Sequence, residues 1–463
     1  MTNLDQIRAW WEERLPVLLD EYGVPGAAVA VDLAGEVTDH GAGVLSLSTG
    51  VEANADTLFQ IGSITKVWTA TLVMQLIDEG LVELDAPVRT YLPEFRIADE
   101  SAAAATTVRH LLTHTAGFEG DIFTDTGKND DCVEKYVATL SDIPQLFAPG
   151  QLFSYNNAGY CVLGRLVEVM RGKPYGACLR DHLFTPLGLT HVAHGADEAI
   201  LHRAAVGHLP PSPGEPLQPA PVWSIAPSNS PAGSLLAMRP RDLLAFARMH
   251  LNHGTAGNGM VVLSEATAKA MREREAELPR LGVMGDAWGL GWEIFDGEST
   301  GMIGHDGTTI GQSAFLRLVP EHDLAIALLT NGGNTLGFYH AVVGHILREL
   351  ADLDLPAMPV PPADPRPVEA GGRFLGTYSS RMFDNTVTQD DDRRVWVTRV
   401  PKGLAAEMGM TTTTIELVAF DGDTLIAKEE EHGFHQPYAF VGGTPDSPAQ
   451  FLHTGRADRR TAR

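Results

Sequence analysis

The proline-rich stretch at residues 356–367, PAMPVPPADPRP, constrains this chain more than any other feature. Its prolines lack a backbone N–H and hold φ near −65°, so the segment cannot run through a helix or a central strand and favours extended backbone. Whatever folds before it must bury a core separate from whatever folds after it. The expectation is a first domain over residues 1–355, a linker over 356–371 and a second domain over 372–463. A chain of 463 residues, 44% hydrophobic and 20% charged, is long enough for one large core and one smaller core.

Residues 4–22 carry apolar side chains at Leu4, Ile7, Trp10, Trp11, Leu15, Leu18 and Leu19 and stop at Gly23 before Pro25, which predicts an amphipathic helix. Residues 27–31 and 36–44 flank a turn at Gly35 and predict a strand pair. Residues 312–319 and 324–330 repeat that pattern around Pro320-Glu-His-Asp323. Between these pairs the spacing predicts helices over 66–79, 158–170 and 241–251. One antiparallel sheet assembled from both ends of the region and packed on those helices is an α+β domain. Beyond the linker, short runs at 395–398, 411–419, 424–427 and 438–441 are divided by Asp-Gly and Gly-Gly turns, which predicts a small β-barrel or sandwich.

A net charge of −25 gives a surface field that repels phosphate, and no run of Lys and Arg reverses it. Neither nucleic acid nor an anionic membrane is an expected partner. The start, MTNLDQIRAWWEE, lacks the basic and continuously apolar parts of a secretory signal, and no later segment approaches about 18 uninterrupted apolar residues. A cytoplasmic location is expected. The cysteines, Cys132, Cys161 and Cys178, have no metal-ligand spacing and read as buried thiols, so no metal or cofactor is expected.

Ser63-Ile-Thr-Lys66 opens the first predicted helix of the middle region. At a helix entry, residues i and i+3 share a face, which places the Lys66 amine beside the Ser63 hydroxyl near the positive end of the helix. Burial there lowers the pKa of the amine and makes it a proton acceptor. A bare S-x-x-K arises about once by chance in a chain of this length, so the pair needs company. Tyr155-Asn-Asn157 precedes the next predicted helix: a loop tyrosine relays protons and Asn157 binds a substrate amide, or else Tyr155 packs and Asn157 caps the helix. Gly304-His-Asp-Gly-Thr308 supplies a third element. There Gly307 permits close approach of a substrate backbone, and the N–H groups of Thr308 and Ser63 form a candidate oxyanion hole.

S-x-x-K, Y-x-N and a strand-borne [K/H]-x-G, in this order and spacing, resemble the three motifs of class C β-lactamases, DD-peptidases and related esterases. The stretches at 107–118 and 231–243 resemble further signatures of that family, and the likeness covers roughly residues 4–350. The resemblance implies a transpeptidase-like antiparallel sheet with helices. It also implies a catalytic set of Ser63, Lys66, Tyr155, Asn157 and His305, with Asp306, Gly307, Trp223 and Arg456 toward substrate. His305 stands where penicillinases carry a carboxylate-binding lysine, and a neutral histidine argues against penicillin turnover. Relatives with H-x-G include esterases, D-aminopeptidases and stand-alone penicillin-binding-protein-type thioesterases that cyclise nonribosomal peptides. The last group is the most similar in plan, since it carries a lipocalin-like domain after the transpeptidase domain.

The resemblance therefore implies a trans-acting thioesterase. Ser63 takes a peptidyl thioester from a carrier protein, and the peptide's own amine closes a ring head to tail on a D-configured acyl donor. A serine hydrolase (D-aminopeptidase, DD-peptidase-like or carboxylesterase) is the alternative. Near the C-terminus, FLHTGRA at 451–457 resembles a closing segment from which Arg456 reaches Asp306 or substrate.

Overall fold

A computed structural model describes residues 3–461 except 213, 296–300, 369–370, 432 and 445. The first helix, α1 (Asn3–Glu21), buries Leu4, Ile7, Trp11, Leu15, Leu18 and Leu19 along one stripe, the face the apolar spacing predicts. Strands β1 (Gly26–Leu33) and β2 (Glu36–Gly43) follow as a hairpin, with Leu33 opposite Glu36. The chain then builds the helical middle: α2 (Thr65–Asp78), α3 (Asn157–Arg171) and α4 (Pro240–Leu251). It returns to the sheet through β3 (Ala276–Glu277), β4 (Ala287–Trp288), β5 (Glu293–Phe295), β6 (Met302–Thr308), β7 (Ser313–Val319) and β8 (Leu324–Thr330). The last helix of this part is α5 (Thr335–Ala351).

Among the described residues the sheet runs β2-β1-β8-β7-β6-β5-β4-β3 and is antiparallel throughout. Ala27 of β1 pairs with Thr330 of β8, so the two ends of the domain close on each other at the sheet centre. β1, β7 and β8 are buried on both faces and read as near-continuous apolar runs. One face packs on α2, α3 and α4 through Ile64, Trp68, Leu163, Phe246 and Leu316. The other packs on α1 and α5 through Trp11, Val29, Phe315, Ile326 and Phe338. The result is the α+β domain of β-lactamase-like form.

Residues 356–368 hold no helix or strand. Eight described strands then make a closed, all-antiparallel, lipocalin-like barrel: β9 (Gly376–Ser379), β10 (Phe383–Gln389), β11 (Val395–Pro401), β12 (Thr413–Asp421), β13 (Thr424–Ala427), β14 (Pro437–Val441), β15 (Phe451–His453) and β16 (Ala457–Arg460). Each strand pairs with its chain neighbour and β9 closes on β16. Its interior is filled by Tyr378, Val397, Leu417, Leu425 and Phe440, and Val368 at the end of the linker joins that core.

Barrel and catalytic domain meet along the segment just before α3. The Tyr155 N–H donates to the Gly455 carbonyl (3.0 Å), His453 Nε2 donates to the Phe153 carbonyl (2.8 Å), and the Ala457 N–H donates to Ser154 Oγ (3.1 Å). Phe147 meets Phe451 edge to face. The backbone that carries Tyr155 is thus held by the second domain.

Candidate active site

Ser63 lies in a single 3-10 turn (Gly62–Ile64) that leads directly into α2. The turn is wedged between β6 and the segment at residues 232–234, and small residues make that possible. A Cβ on Gly307 would overlap the Ile61 carbonyl oxygen and come within 3.0 Å of the Ser63 amide nitrogen. One on Gly62, whose φ is +50°, would reach 2.7 Å from the Thr308 amide nitrogen. The missing side chain of Gly307 thus admits the enzyme's own turn. The same packing brings the amide nitrogens of Ser63 and Thr308 to either side of one contact, and both residues line the same cleft.

Lys66, one helical turn on, is fully buried, and its Nζ donates to Ser63 Oγ (3.1 Å) and to the Ala232 carbonyl (2.6 Å). Burial pushes its pKa down to about 7, with Arg456 acting in the same direction and Cys161, Asp121 and Glu293 acting against it. Near neutrality a large share of the side chain is therefore free amine, which can keep the bond to Ala232 and turn its lone pair to the Ser63 O–H. Tyr155 is also buried, and desolvation pushes its phenol up although Ser63 hydrogen-bonds it. It rests as a neutral phenol, a proton carrier rather than a standing base. Lys66 Nζ and the Arg456 guanidinium each lie 4.8 Å from the centre of its ring.

The helix cap belongs to Asn156, not Asn157: the Gly159 N–H donates to Asn156 Oδ1 (2.7 Å). That leaves Asn157 free to face the cleft, where its Nδ2 donates to Asp121 Oδ1 (2.7 Å). Arg456 does reach the site, but its partner is Asp121 (Nε to Oδ2, 2.9 Å) and not Asp306. Asp306 is engaged instead by Arg317, whose Nη1 donates to Oδ1 (2.6 Å). His305 is buried, its Nδ1 bonds to the Asp306 carbonyl (2.6 Å), and burial with Lys66 nearby pushes it down to about 3, so it is neutral. Its ring sits against Trp288 and Tyr155, beneath the cleft rather than on its wall.

The cleft itself has a volume of about 320 Å³ and is lined by Ser63, Tyr155, Asn157, Asp306, Thr308 and Arg456 together with Phe123, Ile225, Asn229, Ser234, Met284 and Glu293. Trp223 is not part of that wall. It packs with Leu58, Ala193 and Ala237 and donates Nε1 to the Ala205 carbonyl (2.9 Å), which corrects its expected place toward substrate. Two residues missed by sequence reasoning are Asp121, which ties Asn157 to Arg456, and Glu293, a buried carboxyl in the cleft wall. The trace of Glu293 in the sequence is a lone charge in the otherwise apolar run Trp292-Glu-Ile-Phe295.

A hydroxyl beside a neutralised buried amine, a phenol in reach of both, and the backbone of Ser63 and Thr308 lining the same cleft make an active-site serine enzyme that works through an acyl intermediate, a serine acyltransferase or hydrolase. The comparisons agree with that class. The chain belongs to the β-lactamase family, whose profile, described as Beta-lactamase, matches residues 11–347. It is 43% identical over 372 residues to penicillin-binding protein 4 of Amycolatopsis lactamdurans, covering 80% of this chain and 97% of that one. The crystal structure of SurE superposes with a TM-score of 0.79 over 99% of both chains, at 29% identity. The octameric penicillin-binding protein homologue from Pyrococcus abyssi shares the fold over 94% of this chain and 96% of that one, with a TM-score of 0.64 and 21% identity. No helix among the described residues is long and apolar enough to cross a membrane.

Proposed function

We propose that this chain is a peptide cyclase working on thioesters. Ser63 attacks the carbonyl of a peptidyl thioester presented by a carrier protein inside the cell, passing its proton to Lys66. The oxyanion forms between the N–H groups of Ser63 and Thr308, and the C–S bond breaks as the thiol takes the proton back through Tyr155. The peptide's own amine then attacks the acyl-enzyme, the C–Oγ bond breaks, and the displaced proton returns to Ser63. No step calls for a cofactor.

The observation that carries this reading is the roof of the cleft. The barrel places Arg456 over Tyr155 and commits it to Asp121, while His305 is neutral and Arg317 is paired with Asp306, so neither offers a free cation to a penicillin-like carboxylate. A site without a carboxylate anchor suits a peptide whose acyl carbon carries no free acid. Full-length likeness to SurE, whose structure is also known with D-Leu, supports a D-configured acyl donor.

The test is a matched pair of linear peptide thioesters differing only in the configuration of the C-terminal residue, with products resolved by mass. A cyclic product, lighter than the linear acid by one water, should dominate from the D substrate and vanish in Ser63→Ala. Linear acid alone, over a range of peptide lengths, refutes the proposal in favour of a hydrolase. The name of the 43% identical relative favours a second reading, a penicillin-binding hydrolase. That reading requires a lasting penicilloyl adduct on Ser63 at low drug concentration.

A further inference from the structure

Glu293 stands in the cleft wall, acting on Lys66 only through its charge. It is 2% exposed; among the described residues its Oε1 is reached only by the Asp306 N–H at a long 3.4 Å, and its Oε2 has no hydrogen-bond partner. A carboxyl buried with an unused oxygen is costly to keep, because desolvation is not repaid by bonding. The groups around it are Lys66 from α2, Tyr155 before α3, His305 and Asp306 from β6, Arg317 from β7 and Tyr339 from α5. Of these, Arg317 is committed to Asp306, and His305 Nδ1, 3.8 Å away, is turned to the Asp306 carbonyl.

Resting on the cyclase reading, we infer that Glu293 receives the attacking amine as its ammonium and takes the proton it must shed before it can attack the acyl-enzyme. R–NH3⁺ passes one proton to Oε2, leaving R–NH2. Its lone pair forms the N–C bond, the C–Oγ bond breaks, and a second nitrogen proton travels to Ser63 Oγ through Tyr155 and Lys66. Glu293 then releases its proton to solvent. An ordinary glutamate, at about 4.3, is a poor match for an α-ammonium near 8. Burial and the adjacent Asp306 push Glu293 well above the usual carboxylate range, toward the ammonium; near neutrality it rests largely as the neutral acid, so it accepts the proton through its ionised fraction, which grows as pH rises. Water and hydroxyl nucleophiles carry no such proton, so this device favours amines specifically.

The experiment uses the full chain and the thioester of N-acetyl-D-phenylalanine with N-acetylcysteamine. Two acceptors are supplied separately: glycinamide, and its hydroxyl analogue glycolamide. With Glu293→Gln the mass adduct on Ser63 should still form, while the amide-to-acid ratio with glycinamide falls about tenfold or more and the ester-to-acid ratio with glycolamide changes far less. Glu293→Asp, which keeps a carboxyl, should recover part of the amine preference. An unchanged amide-to-acid ratio in Glu293→Gln, or an equal loss with both acceptors, overturns the inference and leaves the cyclase reading standing. If the wild type yields only acid whatever acceptor is offered, acyl transfer itself fails and this role falls with it.

Discussion

Replacing Lys66 by methionine should cost the enzyme its activity and stabilise its fold. The side chain is fully buried and its pKa falls from 10.5 to about 7, chiefly by desolvation. At 1.36 kcal/mol per pH unit that drop disfavours the buried ammonium by about 5 kcal/mol, and at pH 7, where about half of the folded molecules have already lost the proton, the net cost to folding is about 4 kcal/mol. The sign follows from proton counting. Below about 7 both states are protonated and the penalty is complete; between about 7 and 10.5 only the unfolded state keeps the proton, so native stability rises with pH; above 10.5 the penalty is gone. Methionine avoids the penalty but leaves Ser63 and the Ala232 carbonyl without the bonds Lys66 makes, a loss of about 1–3 kcal/mol. Lys66→Met should therefore be more stable than wild type at pH 7 by roughly 1–3 kcal/mol, which for a protein of this size is about 1–4 °C in Tm. By pH 10 the order should reverse. Calorimetric scans of both proteins from pH 6 to pH 10 follow the crossover. The same variant should lose at least about a hundredfold in kcat/KM, and wild-type acylation should climb with pH through about 7 as the amine becomes free. A variant less stable at every pH, or a stability gap flat across that range, refutes the claim that Lys66 is held as a destabilised base.

Gly307→Ala places a methyl group against the Ile61 carbonyl and near the Ser63 amide nitrogen, so acylation should fall by about a hundredfold or more while the barrel still folds; a rate near wild type would show that the turn yields without moving the oxyanion hole. Arg456→Ala removes the guanidinium from the Tyr155 ring and from Asp121 and should lower kcat/KM about tenfold, measured by thiol release; an effect within about twofold would mean that the barrel holds the cleft by backbone bonds alone. His305→Lys buries a second amine beside Lys66, so activity should drop without any gain in penicillin binding; tight acylation by penicillin in that variant would show that the new ammonium reaches the cleft.

The sequence announces the long elements. Strands β1, β2, β7 and β8 were legible because each is a run of seven or eight residues bounded by turn signals, and α1 because its buried positions repeat at helical spacing. β3, β4 and β5 were not, since strands of two or three residues contain too few positions to show a period. In the site, Ser63 and Lys66 were legible together because three residues on a helix fix their relation. Arg456 and Asp121 come from different domains and meet only through barrel packing, a relation no spacing encodes. Trp223 looked exposed to substrate in the sequence, but the alanines at 193, 204 and 237 leave a space that its ring fills.

The closing of the sheet by β1 against β8 also sets a timetable for synthesis. Ser63 and Lys66 leave the ribosome early, yet their support waits for Thr308 on β6 and for Thr330 beside Ala27. At about 5–20 residues per second that interval is on the order of ten seconds to a minute. The Tyr155 backbone waits longer still, for the carbonyl of Gly455. A nascent chain that has not reached residue 455 thus carries the nucleophile without the carbonyl that holds the Tyr155 backbone.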